Sequence, residues 1–428
     1  MSGTPGVMTP PRPEPAPAQR MPSPYTLPLH TLRLAGRCAL PLVTWFAAGE
    51  AVRYGLLYAG TELSHGDFRQ ARLVLSIVAL TLIVMASMAV VVGMLYSLRA
   101  VMWEIRARED DERLWVALNR IAPVYAALYL TWSFHVEDAR DFVQMDFLHN
   151  VDIFLEESLR GQDSTIGRAL TDLDWRISLA LMAGAIGLRL LFTKWVEAGS
   201  RQFAGVLAGL AEFSVVFFGL NATVVLARLR AEWVDHRSVV AGSKDLVEQA
   251  KENVPFAETV MKAVGEVWPY VNDALVVPLA WFTVAVLVFG AFADDARSAV
   301  RGTRFERGVD RLEGSHDLTQ RSFNRATGGF QERWVPLANS FRLMIKGGFP
   351  LFGMMCLSYV ALNVGGEYAL RGARTLIGSA VEWRWLVIGY PLGFLKDLIV
   401  TSLTMCLLAA TFDIAATRAR LGGEAISA

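Results

Sequence analysis

The sequence predicts an all-α membrane protein, a bundle of about eight helices that cross the bilayer. Several apolar stretches reach the roughly 20 residues that a helix needs to cross about 30 Å of hydrocarbon. The chain of 428 residues is 53% hydrophobic, with a mean hydropathy of +0.35. Charged residues make up 19% of the chain, below the roughly 25% that is usual in soluble domains. The net charge is zero, so the overall charge gives no indication of nucleic-acid binding.

Eight segments are apolar enough to be predicted as spans. The second contains LVLSIVALTLIVMASMAVVVGML and has no charged residue. The third is less regular, because Asn119, Arg120 and Pro123 lie near one end. The eighth is long and contains GYPLGFLKD, where Pro391 is expected to kink or break the helix because proline lacks a backbone donor. The predicted spans are 38–59, 73–97, 114–134, 175–195, 203–227, 271–293, 343–364 and 385–414.

The two ends of the chain are predicted to lie outside the bundle, which occupies 38–417. Residues 1–37 begin with a Pro-rich segment, TPPRPEPAPAQRMPSP, that has no apolar period. Such a composition is typical of a disordered tail. Residues 418–428 form the short C-terminal tail. The abundance of Ala, Gly and Arg relative to Lys is typical of a GC-rich bacterial genome.

The distribution of Lys and Arg among the loops predicts the orientation, because cytoplasmic loops are enriched in both. Loop 294–342 has nine arginines and is predicted to be cytoplasmic. Loop 135–174 has three arginines and ten acidic residues and is predicted to lie outside. Loop 228–270 is also placed outside, although it has six Lys and Arg; if segment 203–227 only re-enters the membrane, the later spans reverse. The preferred arrangement has both termini cytoplasmic, in a cell membrane.

Glu212 is an ionisable residue near the middle of the fifth predicted span. On a helix it shares a face with Gly205, Ala208, Gly209, Val216 and Gly219. Small residues allow a neighbouring helix to pack closely, so Glu212 is expected to face the bundle. By helical rise it lies about 13 Å from the start of its span and Arg189 about 9 Å from the end of the preceding one. An ion pair between them follows as a hypothesis, either as a transport site or as a packing pair.

Two further pairs of charges lie within predicted spans. Glu50 and Arg53 are three residues apart, so they can pair on one face of a helix. Lys396 and Asp397 are adjacent, just after Pro391. Adjacent residues do not face each other on a helix, so we expect each of these two to have a different partner. Such charges are typical of a polar pathway and also of a large bundle with polar helix contacts.

The segment HVEDARDFVQMDFLHNVDIFLEESL in the predicted outer loop is amphipathic. One face of this helix is largely acidic and contains a histidine; its members are Asp138, Asp141, Met145, His149, Asp152 and Glu156. Carboxylates and imidazole can bind a divalent cation or pass protons, which makes His149, Asp152 and Glu156 weak metal candidates. The preferred interpretation is a face exposed to water.

Arginines follow the sixth predicted span at steps of three or four residues. They are Arg297, Arg301, Arg304, Arg307 and Arg311. Arginines just beyond the cytoplasmic end of a span attract anionic lipid headgroups, by about 1 kcal/mol each. The alternative is a solvated stripe that fixes topology, and Glu306 and Asp310 weaken the positive charge.

No cofactor is predicted, and the sequence favours a protein without catalytic activity but leaves this open. The three cysteines are isolated in apolar segments, with no CxxC pair and no Cys/His cluster of metal-binding spacing. P-loop, GxGxxG, GxSxG, HExxH and kinase signatures are absent from the sequence.

The preferred function is a permease-like bundle that moves or binds a small solute or ion. Its candidate polar residues are Glu50, Arg53, Arg189, Glu212, Lys396 and Asp397. The alternative is a non-transporting membrane scaffold that recruits partners through loop 294–342 and the Pro-rich tail. A membrane-embedded enzyme using the outer acidic segment is the third reading. Expected partners are the lipid bilayer with its anionic headgroups and other membrane proteins.

Overall fold

The structure, a computed structural model, describes residues 22–66, 68–108, 113–131, 135–161, 173–197, 204–235, 265–289, 343–344, 348–378 and 382–421. Every regular element in these ranges is helical, as the fold class predicted from the sequence requires. The helices are α1 (Leu27–Ser64), α2 (Arg69–Leu98), α3 (Trp103–Arg108), α4 (Leu114–Thr131), α5 (His135–His149), α6 (Val151–Leu159), α7 (Trp175–Glu197), α8 (Ala204–Asp235), α9 (Gly265–Val288), α10 (Phe349–Ile377) and α11 (Glu382–Leu421).

Six helical segments in the described part of the chain are long and apolar enough to cross a membrane. They are Arg69–Val101, Trp175–Trp195, Ala204–Thr223, Gly265–Val288, Phe349–Ile377 and Val387–Leu421. The first of these is the most apolar, with a mean hydropathy of 2.7, and half of its most apolar stretch is buried. Length and composition therefore indicate a multi-pass membrane protein.

Helices α1 and α2 form an antiparallel hairpin with close backbone contacts. A Cβ atom on Gly49 would collide with Val90, and one on Gly93 would lie 2.5 Å from the ring of Trp45. Glycine allows two helices to approach until side chains of one contact the backbone of the other. The hairpin turns through Phe68, which has a left-handed conformation with φ of 59°.

Helix α8 packs on α4 through the small residues that the sequence places around Glu212. A Cβ atom on Gly205 would lie 2.7 Å from Asn119, and one on Gly209 would lie 2.8 Å from the Cβ of Ala122. The Asn119 side chain also accepts a hydrogen bond from the Val206 backbone N–H at 2.9 Å. It thereby satisfies a donor in the first turn of α8 that has no partner within the helix.

Helix α1 and helix α11 meet at one end of the bundle, which we call the His30 end. His30 Nε2 lies 2.9 Å from Asp413 Oδ2. The Sγ atom of Cys38 lies 3.9 Å from the Ser97 carbonyl oxygen near the end of α2. The start of α1 and the ends of α2 and α11 therefore lie at the same end, and α2 reverses the direction of α1.

Contacts between the other long helices continue this alternation of direction. The Phe289 ring, just after α9, packs against Phe412 in a tilted arrangement with centroids 4.9 Å apart, which places the end of α9 at the His30 end. The Arg120 side chain donates to the Leu287 carbonyl oxygen at 3.0 Å, so α4 begins there. Ser178 donates to Asn221 at 2.7 Å, so α7 runs antiparallel to α8.

The last helix is not broken at Pro391, where the sequence predicted a kink or a break. Helix α11 is one α-helix from Glu382 to Leu421 with Pro391 inside it. The non-helical residue lies in α1 instead, where Cys38 has φ of −113° and ψ of 18°, three residues before Pro41. A proline ring crowds the preceding turn, and in α1 the backbone relieves this crowding at Cys38.

The predicted disordered region 1–37 includes residues that are helical. Helix α1 begins at Leu27 and has Pro28 in its first turn, a position that proline tolerates because no intrahelical donor is lost. Leu27, His30, Thr31 and Leu34 are buried, at the spacing of one helix face. Residues 1–21, loop 294–342 and most of loop 228–270 lie outside the described residues, and so does the predicted arginine stripe.

Candidate functional site

An ionic cluster joins α1, α4 and α5, and we call it the Arg53 cluster: Arg53, Tyr129, Asp138 and Asp141. The Nη2 atom of Arg53 lies 2.5 Å from Asp138 Oδ1 and 2.7 Å from Asp141 Oδ2. The Tyr129 hydroxyl donates to the other oxygen of Asp138, also at 2.5 Å. Asp138 is 7% exposed, so this buried carboxylate has charged or polar partners for both oxygens, as a buried charge requires.

The ends of two helices bring the Arg53 cluster together. Tyr129 is in the last turn of α4, and Asp138 is in the first turn of α5. A carboxylate is favourable in the first turn of a helix, where unpaired N–H groups carry partial positive charge. The Tyr129 ring packs edge-on against Phe213 of α8, with centroids 5.8 Å apart. This contact holds the hydroxyl in position beside Asp138.

The Arg53 cluster lies beside the central part of the uncharged stretch of α2. Gly49 packs against Val90, and the Ser76 hydroxyl donates to the Gly60 carbonyl oxygen at 3.0 Å. Arg53 lies between Gly49 and Gly60 on α1, so it is beside the part of α2 between Ser76 and Val90. Residues 73–97 of α2 have no charge. The cluster therefore lies at the level of the middle of this apolar stretch, whose length and composition are those of a membrane span.

A small apolar cleft lies next to the cluster, between α4 and α9. Its wall is formed by Tyr125, Leu128, Tyr129, Ala280, Trp281 and Val284. Tyr125 and Trp281 contact each other edge to face, with centroids 6.1 Å apart. The Tyr129 ring forms part of the wall of this cleft, and the hydroxyl of the same side chain binds Asp138. Tyr129 therefore connects the apolar cleft with the buried carboxylate.

Arg53 pairs with α5 and not with Glu50, contrary to the sequence-based expectation. Its two carboxylate partners come from residues more than 80 positions along the chain. The i,i+3 spacing makes a Glu50 pair possible, but the shorter acidic chains of α5 approach the guanidinium directly. The Arg53 Nε atom is buried and has no hydrogen-bond partner among the described residues, so the guanidinium retains one donor for a further oxygen.

Helix α5 is packed along α1, so the acidic face predicted to be water-exposed is exposed only in part: Asp138 is buried, whereas His149, Asp152 and Glu156 are exposed. Asp146 is 1% exposed and accepts from His65 at 2.8 Å and from Asn150 at 2.9 Å. Phe142 is fully buried and lies against Gly60. The sequence could not predict this docking, because the residues that bind the carboxylates of α5 are far apart. Arg53 and His65 are separated by more than three helical turns.

The three weak metal candidates are not brought together. His149 Nε2 lies 2.8 Å from Glu62 Oε1, beyond the predicted first span, and this hydrogen bond holds the pKa of the Glu62 carboxyl below its usual value. Glu156 pairs with Arg160 one turn away at 2.6 Å, and Asp152 is exposed. In the described ranges, no group of three or more His, Cys, Asp or Glu side chains is arranged to hold a metal ion.

Arg189 and Glu212 lie at ion-pair distance on α7 and α8. Arg189 Nη2 is 3.8 Å from Glu212 Oε1, which is longer than a charge-assisted hydrogen bond. Glu212 is buried, whereas the Arg189 side chain is 35% exposed. The geometry is therefore that of a loose pair at the edge of the α7–α8 contact.

Lys396 contacts both its sequence neighbour and a residue of α10. Its Nζ atom lies 2.8 Å from Glu367 Oε1 and 3.0 Å from Asp397 Oδ1. The expectation that Lys396 and Asp397 need different partners was wrong, because the long lysine chain curves along the helix to reach the adjacent carboxylate. Glu367 was not among the residues selected from the sequence.

A second polar network, at the His30 end, was also missed by the sequence analysis. Asp413 is fully buried and accepts from the backbone N–H groups of Trp103 and Glu104 at 3.1 and 2.8 Å. His30 binds the same carboxylate and stacks on the Trp103 ring, with centroids 4.1 Å apart. Asp413 lies near the end of a span, where an acidic residue gives no distinctive signal in the sequence.

No known protein family, curated protein or solved structure matches the chain.

Proposed function

We propose that the protein is a permease-like membrane protein that crosses the bilayer eight times and binds or moves a small solute or ion. The six apolar segments supply six of these crossings. Helix α1 and the pair α4–α5 would supply the other two. The alternating helix directions support this arrangement, because an even number of crossings returns the C-terminal helix to the His30 end. That end would be cytoplasmic, as the distribution of Lys and Arg favours.

The third crossing would consist of α4 and α5 together. Helix α4 begins at the His30 end and has Tyr129 in its last turn, and α5 continues to the end where Asp146 binds His65. Transporters often place their ion and substrate sites near the bilayer midplane.

The observation that carries the proposal is the Arg53 cluster, which joins α1, α4 and α5. Three carboxylates, Glu50, Asp138 and Asp141, lie near one guanidinium: Asp138 and Asp141 bind Arg53 directly, and all three act on its charge. Excess negative charge at membrane depth favours uptake of a proton or a cation. Ionisable residues inside membranes mark ion pathways and proton relays. Asp138 is the residue we assign to bind the transported or coupled ion, with Tyr129 and Arg53 holding its carboxylate.

The test is ion flux in vesicles that contain the purified full-length protein. A pH-sensitive dye trapped inside reports the collapse of an imposed pH gradient, and parallel samples use sodium and potassium gradients. We expect one of these gradients to collapse faster than in protein-free vesicles. Asp138→Asn should remove most of this excess rate and still fold, because Arg53 keeps Asp141 as a partner.

Asp152→Asn is the matched control, because Asp152 is an exposed aspartate on α6. It should leave the flux unchanged. If all three gradients collapse no faster than in protein-free vesicles, or if Asp138→Asn transports at the wild-type rate, the proposal is wrong. The alternative, a scaffold acting through loop 294–342, rests on residues outside the described part of the chain.

A further inference from the structure

The first part of α1, from Leu27 to Arg37, has one face in the bundle and one face outside it. The inner face contains His30, which binds Asp413 and stacks on Trp103. These contacts fix the rotation of the helix about its axis. The outer face contains large apolar residues that are exposed: Leu29 is 65% exposed, Leu32 is 59% exposed and Leu40, about two turns after Leu32, is 80% exposed.

Two arginines, Arg33 and Arg37, accompany these leucines on the exposed side of α1. They are four residues apart, so both lie on the same side of the helix. Neither forms an ion pair with any residue that the structure describes. Of the described acidic residues near this end, Glu104 and Asp413 are buried and have other partners. Within the described ranges, no carboxylate therefore compensates the charge of the two guanidinium groups.

The arginines lie just beyond the apolar part of the bundle. Cys38 contacts the Ser97 carbonyl oxygen, and Ser97 lies at the end of the uncharged stretch of α2, one residue before Leu98. From Ala39 onward, the exposed residues of α1 are uncharged for more than two turns. Arg33 and Arg37 thus lie at the boundary between the acyl chains and the headgroups of the lipids.

We propose that Arg33 and Arg37 bind the headgroup of an anionic phospholipid whose acyl chains lie along Leu40 and Val43. Arginine forms paired hydrogen bonds with phosphate oxygens, and the apolar stripe below it matches the lipid tails. Charge complementarity and the uninterrupted apolar surface favour this occupant over a soluble protein segment. The inference rests on the membrane placement of the bundle and not on transport.

The experiment measures the thermal stability of the detergent-purified full-length protein as lipid is added. Phosphatidylglycerol should raise the melting temperature at lower concentration than phosphatidylcholine. The double variant Arg33→Gln with Arg37→Gln should need roughly 30-fold more phosphatidylglycerol, about 5-fold per arginine, with an unchanged melting temperature before lipid is added. Arg33→Lys with Arg37→Lys should retain most of the effect, because lysine keeps the charge.

The matched control is Arg371→Gln with Arg374→Gln, a second exposed pair near the end of α10. Both of these arginines act on the carboxylate of Glu367, so their charge is partly compensated and the lipid response should be unchanged. Inorganic phosphate at the same concentration should not reproduce the stabilisation. Equal stabilisation by both lipids, or equal losses in the two double variants, overturns the assigned site.

Failure of this inference can be told apart from failure of the proposed function. If the wild-type protein transports an ion in vesicles but shows no preference for phosphatidylglycerol, the lipid site is wrong and the permease proposal stands. If it prefers phosphatidylglycerol but transports none of the tested ions, the permease proposal is wrong and the lipid site stands.

Discussion

Arg53 is tolerated inside an apolar bundle because two carboxylates bind its guanidinium group. The Tyr129 hydroxyl in turn binds one of them, that of Asp138. An isolated charge at this depth would neutralise or draw in water. Asp138 and Asp141 approach the same guanidinium nitrogen, and Tyr129 satisfies the second oxygen of Asp138. The stability of the cluster therefore depends most on Arg53, because removing it leaves both carboxylates without their cation.

Replacing Arg53 by glutamine should destabilise the protein by about 3–5 kcal/mol, because two carboxylates lose their cation. Asp138→Asn should be milder, since Asp141 still pairs with Arg53. The double variant should be less destabilised than the sum of the two single variants. Thermal unfolding of the four detergent-purified proteins measures this coupling, and strictly additive effects would show that the two residues do not interact.

The Arg189–Glu212 pair should be coupled more weakly than the Arg53 cluster. Its atoms are 3.8 Å apart and Arg189 is 35% exposed, so water or lipid headgroups can replace part of the interaction. We expect a coupling free energy of about 0.5–1 kcal/mol in a double-mutant cycle of Glu212→Gln and Arg189→Gln. A value equal to that of the Arg53–Asp138 cycle would contradict the loose pairing seen in the structure.

At the level of helices, small residues determine which pairs can pack closely. Gly205 and Gly209 allow α8 to approach the backbone of α4. Asn119 then lies close enough to bind the first turn of α8. The crossing positions Phe213 against Tyr129, and through Tyr129 it supports Asp138.

Gly209→Ala should destabilise the protein by about 1–3 kcal/mol, because the added Cβ would lie 2.8 Å from Ala122. Gly187→Ala on α7 is the control, since a Cβ there has no neighbour within 4 Å in the described structure. This control should be neutral or stabilising by up to about 1 kcal/mol, through the better helix propensity of alanine. Melting temperatures of the two variants test the prediction, and similar values would argue against the α4–α8 contact.

At the level of the whole molecule, the His30 end ties together the first and last helices. Asp413 receives hydrogen bonds from His30 and from the start of α3, and Arg420 binds Glu104 at 3.1 Å. These contacts join residues about 310 to 380 positions apart. They require the start of α1 and the end of α11 to lie on the same side of the membrane.

Cysteine labelling tests this arrangement. Ser23 lies at the His30 end and Ser158 follows α5 at the opposite end, and both are exposed. In a background lacking the three native cysteines, Ser158→Cys should react with an impermeant thiol reagent added to intact cells. Ser23→Cys should react only after permeabilisation. Equal labelling of both positions in intact cells would rule out the eight-crossing arrangement.

The sequence by itself determined the class of the protein and most of its helices. Apolar runs such as 73–97 indicate spans because the signal is local: length and hydropathy suffice to predict a helix that crosses hydrocarbon. The small-residue face around Glu212 is also a local pattern, and it correctly indicated close helix packing. The six apolar segments of the structure all overlap predicted spans.

Only the tertiary structure decided which polar residues meet. Arg53 could have paired with Glu50 by spacing, but it binds Asp138 and Asp141 because α5 docks on α1. His30 and Asp413 are 383 residues apart, and nothing in their local sequence links them. An ion pair depends on distances of a few ångströms between side chains on different helices. Those distances are fixed by helix crossings and rotations, which a single sequence does not specify.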